Sequence, residues 1–194
     1  TMSDMACHLM DLPFWALDLR HPTKVSAKGA TPDDYAAPHG LEVSYEFPAR
    51  AGRAACELTL YDGNRKPTGM EANGLPGVGF GVLFVGEKGN LFSDYGAHRL
   101  MPEEEFAGFE APAPSLPDSI GHYAEWIKAC KEGTPTTCNF DYSGALTEAV
   151  LLGSVAFRSQ QELAWDAKEL AATNCAKAEE YVRKEYREGW SLRG

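Results

Sequence analysis

Asp4, His8 and Asp11 stand close to the amino terminus in the run DMACHLMD. Read as a helix, that run puts Asp4 and His8 one turn apart on one face, with Asp11 three residues beyond His8. A carboxylate so placed can orient the imidazole, choose its tautomer and raise its basicity. These are the properties of a general acid/base. The same spacing also serves a solvated ion pair or a histidine satisfied within a core, and spacing alone does not separate these readings. Met5, Leu9 and Leu12 cover an adjacent face that would hold the helix against the rest of the protein.

The surrounding pattern shows what must position these groups. Ser3 is a candidate N-cap, and Pro13 predicts an end or kink between Leu12 and Leu17. Phe14, Trp15 and Leu17 are expected in the core. His21-Pro22 predicts a turn and Thr23 to Lys28 a short strand, followed by an aperiodic loop over 29–40. Leu41, Val43, Tyr45 and Phe47 alternate with Glu42, Ser44 and Glu46, as in a half-exposed strand. Cys56, Leu58 and Leu60 repeat that alternation up to a turn at Asp62-Gly63-Asn64. Val78 to Val85 is apolar on both faces and predicts a central strand, with a tight Gly86–Gly89 turn completing a hairpin into Leu91 and Phe92. Residues Ser93 to Pro117 read as a long loop with an acidic Glu103–Glu105 surface.

Ser119 to about Glu132 predicts a helix ended by Gly133, with Ile120, Tyr123, Ala124, Ile127 and Cys130 as its apolar face. Residues 144–158 are apolar almost all round and predict a buried helix. Gln161 to Trp165 suggests a returning strand, and Asn174 a cap for a charged helix through Glu188. Strands followed by helices give an α+β protein: a largely antiparallel open sheet with helices on one face, read as one domain over 1–194.

Bulk properties narrow the function. The 194 residues carry 18 basic and 28 acidic side chains, a net charge of −10. That balance argues against nucleic acid and against a polybasic membrane module. No apolar run is long enough to span a bilayer. The five cysteines, odd in number and without a C-x-x-C pair, are read as reduced and mostly buried thiols of a reducing compartment such as the cytoplasm. Gly77-x-Gly79-x-Gly81 lies in a strand-like run rather than opening a helix, so no dinucleotide loop is read there. His8, His21, His39, His98 and His122 form no ligand spacing for a metal, and His21 reads as a structural turn residue. Trp15, Trp126, Trp165 and Trp190 are expected to be core or interface anchors.

DMACHLMD resembles the substrate-domain motif of the Gfo/Idh/MocA oxidoreductases. HPTKV (21–25), GEKGNLFSDYG (86–96), HYAEWIKACKEGTPTTCNFDYSGALTEAVLLG (122–153) and WDAKELAATNCAKAEEYVRKEYREGW (165–190) resemble the bacterial-type carboxy-terminal domain of that family. The resemblance implies a substrate-binding and oligomerisation domain that works with a separate amino-terminal Rossmann domain, which is missing from these 194 residues. It also implies NAD or NADP as cofactor of the full-length protein and a sugar-like or cyclitol substrate. His8 would be the acid/base, Asp4 its polarising partner and Asp11 a supporting or structural residue. The family's lysine from an E-K-P motif is absent, so this chain alone is expected neither to hold a nicotinamide nor to turn over.

Two alternatives stand beside that expectation: a glycosidase that oxidises its substrate transiently on bound NAD, and a non-catalytic scaffold of the same fold. Tyr45, Phe47, Leu58, Phe80 and Phe84 offer apolar surface that predicts a homo-oligomer unless helices cover them. The resemblance points to the same assembly, through the sheet.

Overall fold

The computed structural model describes residues 2–68, 70, 75 and 77–192, and divides the chain into two compact units. The first comprises the segment up to Met70 together with Leu146 onward; the second covers residues 71–145. The Ser3 side chain and residues 69, 71–74 and 76 lie outside the description, so the proposed N-cap does too.

The first unit opens with α1 (Met2–Ala16), which continues past Pro13 and ends within the expected window. The Leu17 amide then donates to the Pro13 carbonyl at 3.0 Å. The strands β1 (Lys24–Gly29), β2 (Gly40–Phe47) and β3 (Cys56–Gly63) follow. With β7 (Leu163–Asp166) and β8 (Ala171–Ala172) they form an antiparallel sheet in the order β3-β2-β1-β7-β8.

Register separates the two faces. Val25 pairs with Tyr45, Ala27 with Val43 and Val43 with Leu60, so apolar side chains share one side. Lys24 opposite Glu46 and Lys28 opposite Glu42 give the other side cross-strand ion pairs at 3.1 and 3.0 Å. The helices cover the apolar side. Phe14 of α1 meets Phe47 edge-on, with ring centroids 5.6 Å apart. The helix α3 (Phe140–Ser159) lies so close to β2 that a Cβ added at Gly153 would stand 2.6 Å from the Tyr45 hydroxyl oxygen. Burying a side chain such as Phe14 or Val43 contributes about 1.5–3 kcal/mol.

This arrangement covers part of the apolar surface read as an oligomer face, while Phe80 stays 47% exposed. Tyr45 and Phe47, read as surplus sheet surface, are buried beneath the helices, and Leu58 is half-buried. The uncovered face of this sheet is polar.

The second unit holds β4 (Val82–Gly86), β5 (Gly89–Ser93) and β6 (His98–Met101) as an antiparallel sheet in that order, and α2 (His122–Glu132). The hairpin at Gly86–Gly89 is as expected. The central strand over Val78–Val85 is not: the strand begins only at Val82 and sits at a sheet edge, with Val85 78% exposed. A continuous apolar run does not report how many neighbours it has. Part of the long loop also pairs, as β6, followed by a 3-10 turn at Glu103–Phe106. Gly133, in the left-handed region at φ 67°, ends α2 and donates its amide to the Ala129 carbonyl at 2.9 Å. The expected apolar face of α2 buries nothing, and Tyr123, Trp126 and Ile127 are exposed.

The carboxy-terminal segment corrects another expectation. In place of a helix from Asn174 to Glu188 stand a 3-10 turn at Ala176–Ala178 and the single turn α4 (Glu179–Val182), where Arg183 pairs with Glu179. Residues 183–192 are exposed throughout, and a charged helix with nothing to bury is marginal. Asn174 works instead as a strand clamp. Its Oδ1 accepts the Ala164 amide at 2.8 Å and its Nδ2 donates to the Glu162 carbonyl at 2.9 Å.

Candidate functional site

One side of α1 is anchored and the other is open. Met2, Ala6, Met10, Pro13 and Phe14 are buried, repeating at helical spacing. Asp4, His8, Asp11 and Trp15 are all exposed, and they recur at i, i+4, i+7 and i+11. Asp4 and His8 therefore share a solvent-facing stripe on a helix whose opposite face is fixed by packing. Among the described residues no hydrogen bond or ion pair joins Asp4 to His8. The Cys7 thiol spans the same turn and donates to the Asp4 carbonyl at 3.2 Å. Trp15, expected in the core, is 57% exposed on this stripe.

Neither of two cavities of the first unit is lined by Asp4, His8 or Asp11. One, of about 540 Å³, is bounded by the 30–40 loop with Asn64, Arg65 and Phe157, and includes His39. Asp33 shapes that loop by accepting the amides of Tyr35 and Ala36 at 2.8 and 2.7 Å. Those two hydrogen bonds hold its carboxyl below the ordinary aspartate range. A depressed folded pKa stabilises the loop above the unfolded value, and the contribution is lost as pH falls through the folded value. The Tyr35 and Ala36 amide resonances should therefore keep their folded shifts through pH 4 and move only below the usual aspartate value of about 3.9. A midpoint at or above that value in an NMR titration would contradict the assignment.

The other cavity, of about 610 Å³, is lined by Arg20, His21, Pro22, Thr23, Pro48, Arg50, Trp165 and Asp166, among others. Behind it is a polar chain that sequence reading missed. Glu148 of α3 accepts the Trp165 indole N–H at 2.7 Å, and the same Oε1 lies 3.1 Å from His21 Nδ1. The Glu148 side chain is only 18% exposed. A signal was present, since Glu148 is the one acid within the apolar stretch 144–158, and a carboxylate there needs partners. His21 is thus held in a tertiary contact, beyond the turn role read from the sequence.

The thiols are more accessible than expected. All five are free, and only Cys175 is buried, while Cys130 and Cys138 are exposed. Partial burial, with Glu57 adding to it, pushes the Cys56 thiol up. No helix among the described residues is long and apolar enough to cross a membrane.

These features define an α+β protein built on antiparallel sheets, with an acid and an imidazole displayed together on one helix. No model of a known protein family matches the chain, and no curated protein matches it.

Proposed function

We propose that this chain is the substrate-binding part of a nicotinamide-dependent oxidoreductase acting on a hydroxyl or carbonyl of a sugar or cyclitol. The observation that carries the reading is the common exposure of Asp4 and His8 on the open face of α1, and the motif resemblance supports it. NAD or NADP, held by a separate domain, would supply the hydride acceptor, and His8 would take the hydroxyl proton as the substrate carbon becomes a carbonyl. Asp4 polarises His8 or contacts a neighbouring hydroxyl. Coupling the two departures calls for a group that exchanges protons near neutral pH, as imidazole does. The nucleotide comes from a separate Rossmann domain, which would close a cleft over the exposed stripe. The protein works as a homo-oligomer in a reducing compartment, where its five free thiols stay reduced.

The test is a screen of sugars and cyclitols with the complete two-domain protein, following reduction of NAD and of NADP. Substrate-dependent reduction is expected with a member of this class, and none with the 194 residues alone. Failure across the panel with both nucleotides would overturn the reading. A non-catalytic scaffold is favoured by a different observation, that the two cavities described above are lined by residues other than Asp4 and His8. That scaffold would show no turnover.

A further inference from the structure

The cavity beside His21 has a chemistry of its own. Asp18, just beyond α1 and at φ 48°, is shared by three arginines. Arg20 reaches it at 3.0 Å, Arg50 at 3.5 Å and Arg53 at 4.0 Å. Arg20 also donates to the Leu19 carbonyl and Arg50 to the Asp18 carbonyl. One carboxylate does not neutralise three guanidinium groups, and most of the N–H donors of Arg20 and Arg50 remain unspent among the described contacts. Both arginines line the cavity.

The rest of the lining adds few competing acceptors. The hydroxyls of Thr23 and Thr173 donate to the Glu46 and Ala164 carbonyls. Asp166 is the acid in the lining, and its Oδ1 is engaged by the amides of Lys168 and Glu169. His21 turns Nδ1 toward Glu148, which Trp165 holds in place, so Nε2 is the ring atom left for a ligand. Guanidinium forks beside a free imidazole nitrogen suit an oxyanion that accepts several hydrogen bonds and can also donate one. Hydrogen phosphate does both, as does a phosphomonoester in its monoanionic form, whereas an ionised carboxylate only accepts.

We propose that Arg20, Arg50 and His21 form a binding site for a phosphate group, free or as a monoester, with Asp18 as the internal anion it competes against. The site is separate from Asp4 and His8 and does not rest on the reading of their function.

The experiment uses the full 194-residue chain, 15N-labelled, at constant ionic strength set with sodium chloride. Inorganic phosphate, glycerol 3-phosphate and acetate are titrated in separate arms, following the Trp165 indole N–H and the Arg20 and Arg50 Nε–H signals. Saturable shifts are expected with one or both phosphates, and the tighter of the two identifies the source as free phosphate or monoester. Acetate should bind at least several-fold more weakly. Asp18→Asn, which suits the positive φ and removes the competing charge, should tighten phosphate binding several-fold. Arg20→Gln should weaken it by a similar factor. Non-saturable shifts, acetate binding equal to phosphate, or affinity unchanged in Arg20→Gln would each overturn the site. So would an Asp18→Asn variant that stays folded and binds no more tightly.

Discussion

Under the proposed function, replacing His8 by alanine in this chain joined to its nucleotide-binding domain should lower the rate of hydride transfer about 10²–10⁴-fold, the usual contribution of one general acid/base. The loss should fall on kcat and on kcat/KM together, because the proton is in flight only in the transition state. Stability should change little, since His8 is exposed and no packing is removed. The control is Met10→Ala on the buried side of the same helix. It should cost about 2–5 kcal/mol of stability without altering the chemical step in whatever fraction stays folded. Thermal unfolding and single-turnover rates, measured side by side, separate the two effects. Undiminished hydride transfer by the His8 variant at neutral pH would remove the imidazole from the mechanism. Asp4→Asn should have a smaller effect, because no hydrogen bond fixes the ring from Asp4 in this conformation.

The second large effect lies in the core. Gly153→Ala places a methyl group 2.6 Å from the Tyr45 hydroxyl oxygen and from the Met2 Cε, and 3.1 Å from Val43 Cγ1. The methionine end can swing aside, but the tyrosine ring is wedged at 0% exposure. Alanine improves helix propensity by up to about 1 kcal/mol. Overpacking in a filled core costs about 1–3 kcal/mol, so the net effect is destabilising. The Tyr45 hydroxyl is buried with no hydrogen-bond partner among the described residues, and burial pushes its pKa up. Tyr45→Phe removes that unmet polar atom and should be neutral or stabilising by about 1 kcal/mol. The two changes are in contact and should not add: the double variant should recover most of the Gly153→Ala loss. Additive denaturation free energies would show that the clash is relieved elsewhere.

Much of the first unit can be read directly from the chain. Val43, Tyr45 and Phe47 alternate with polar neighbours because one face of β2 is buried and the other is not, and a period of two records that asymmetry in the residues themselves. The same logic made α3 legible as the buried helix and placed Asp4 and His8 on one face of α1, since i and i+4 are neighbours in any helix.

Periodicity stops short of saying what lies against a face. Val82–Gly86 sits at an edge although its run is apolar throughout, and α2 exposes the Tyr123 and Ile127 that its pattern marks for burial. Asn174 has the residue type of a helix cap but spends both ends of its amide on strand β7 and the residue before it. The Glu148–His21 contact joins residues 127 positions apart, and Trp165 closes it from another strand. Sequence determined the local periods and the residue types offered to each face. Tertiary packing alone decided which faces were covered and which distant polar groups met, because those outcomes depend on chain segments that no local window contains.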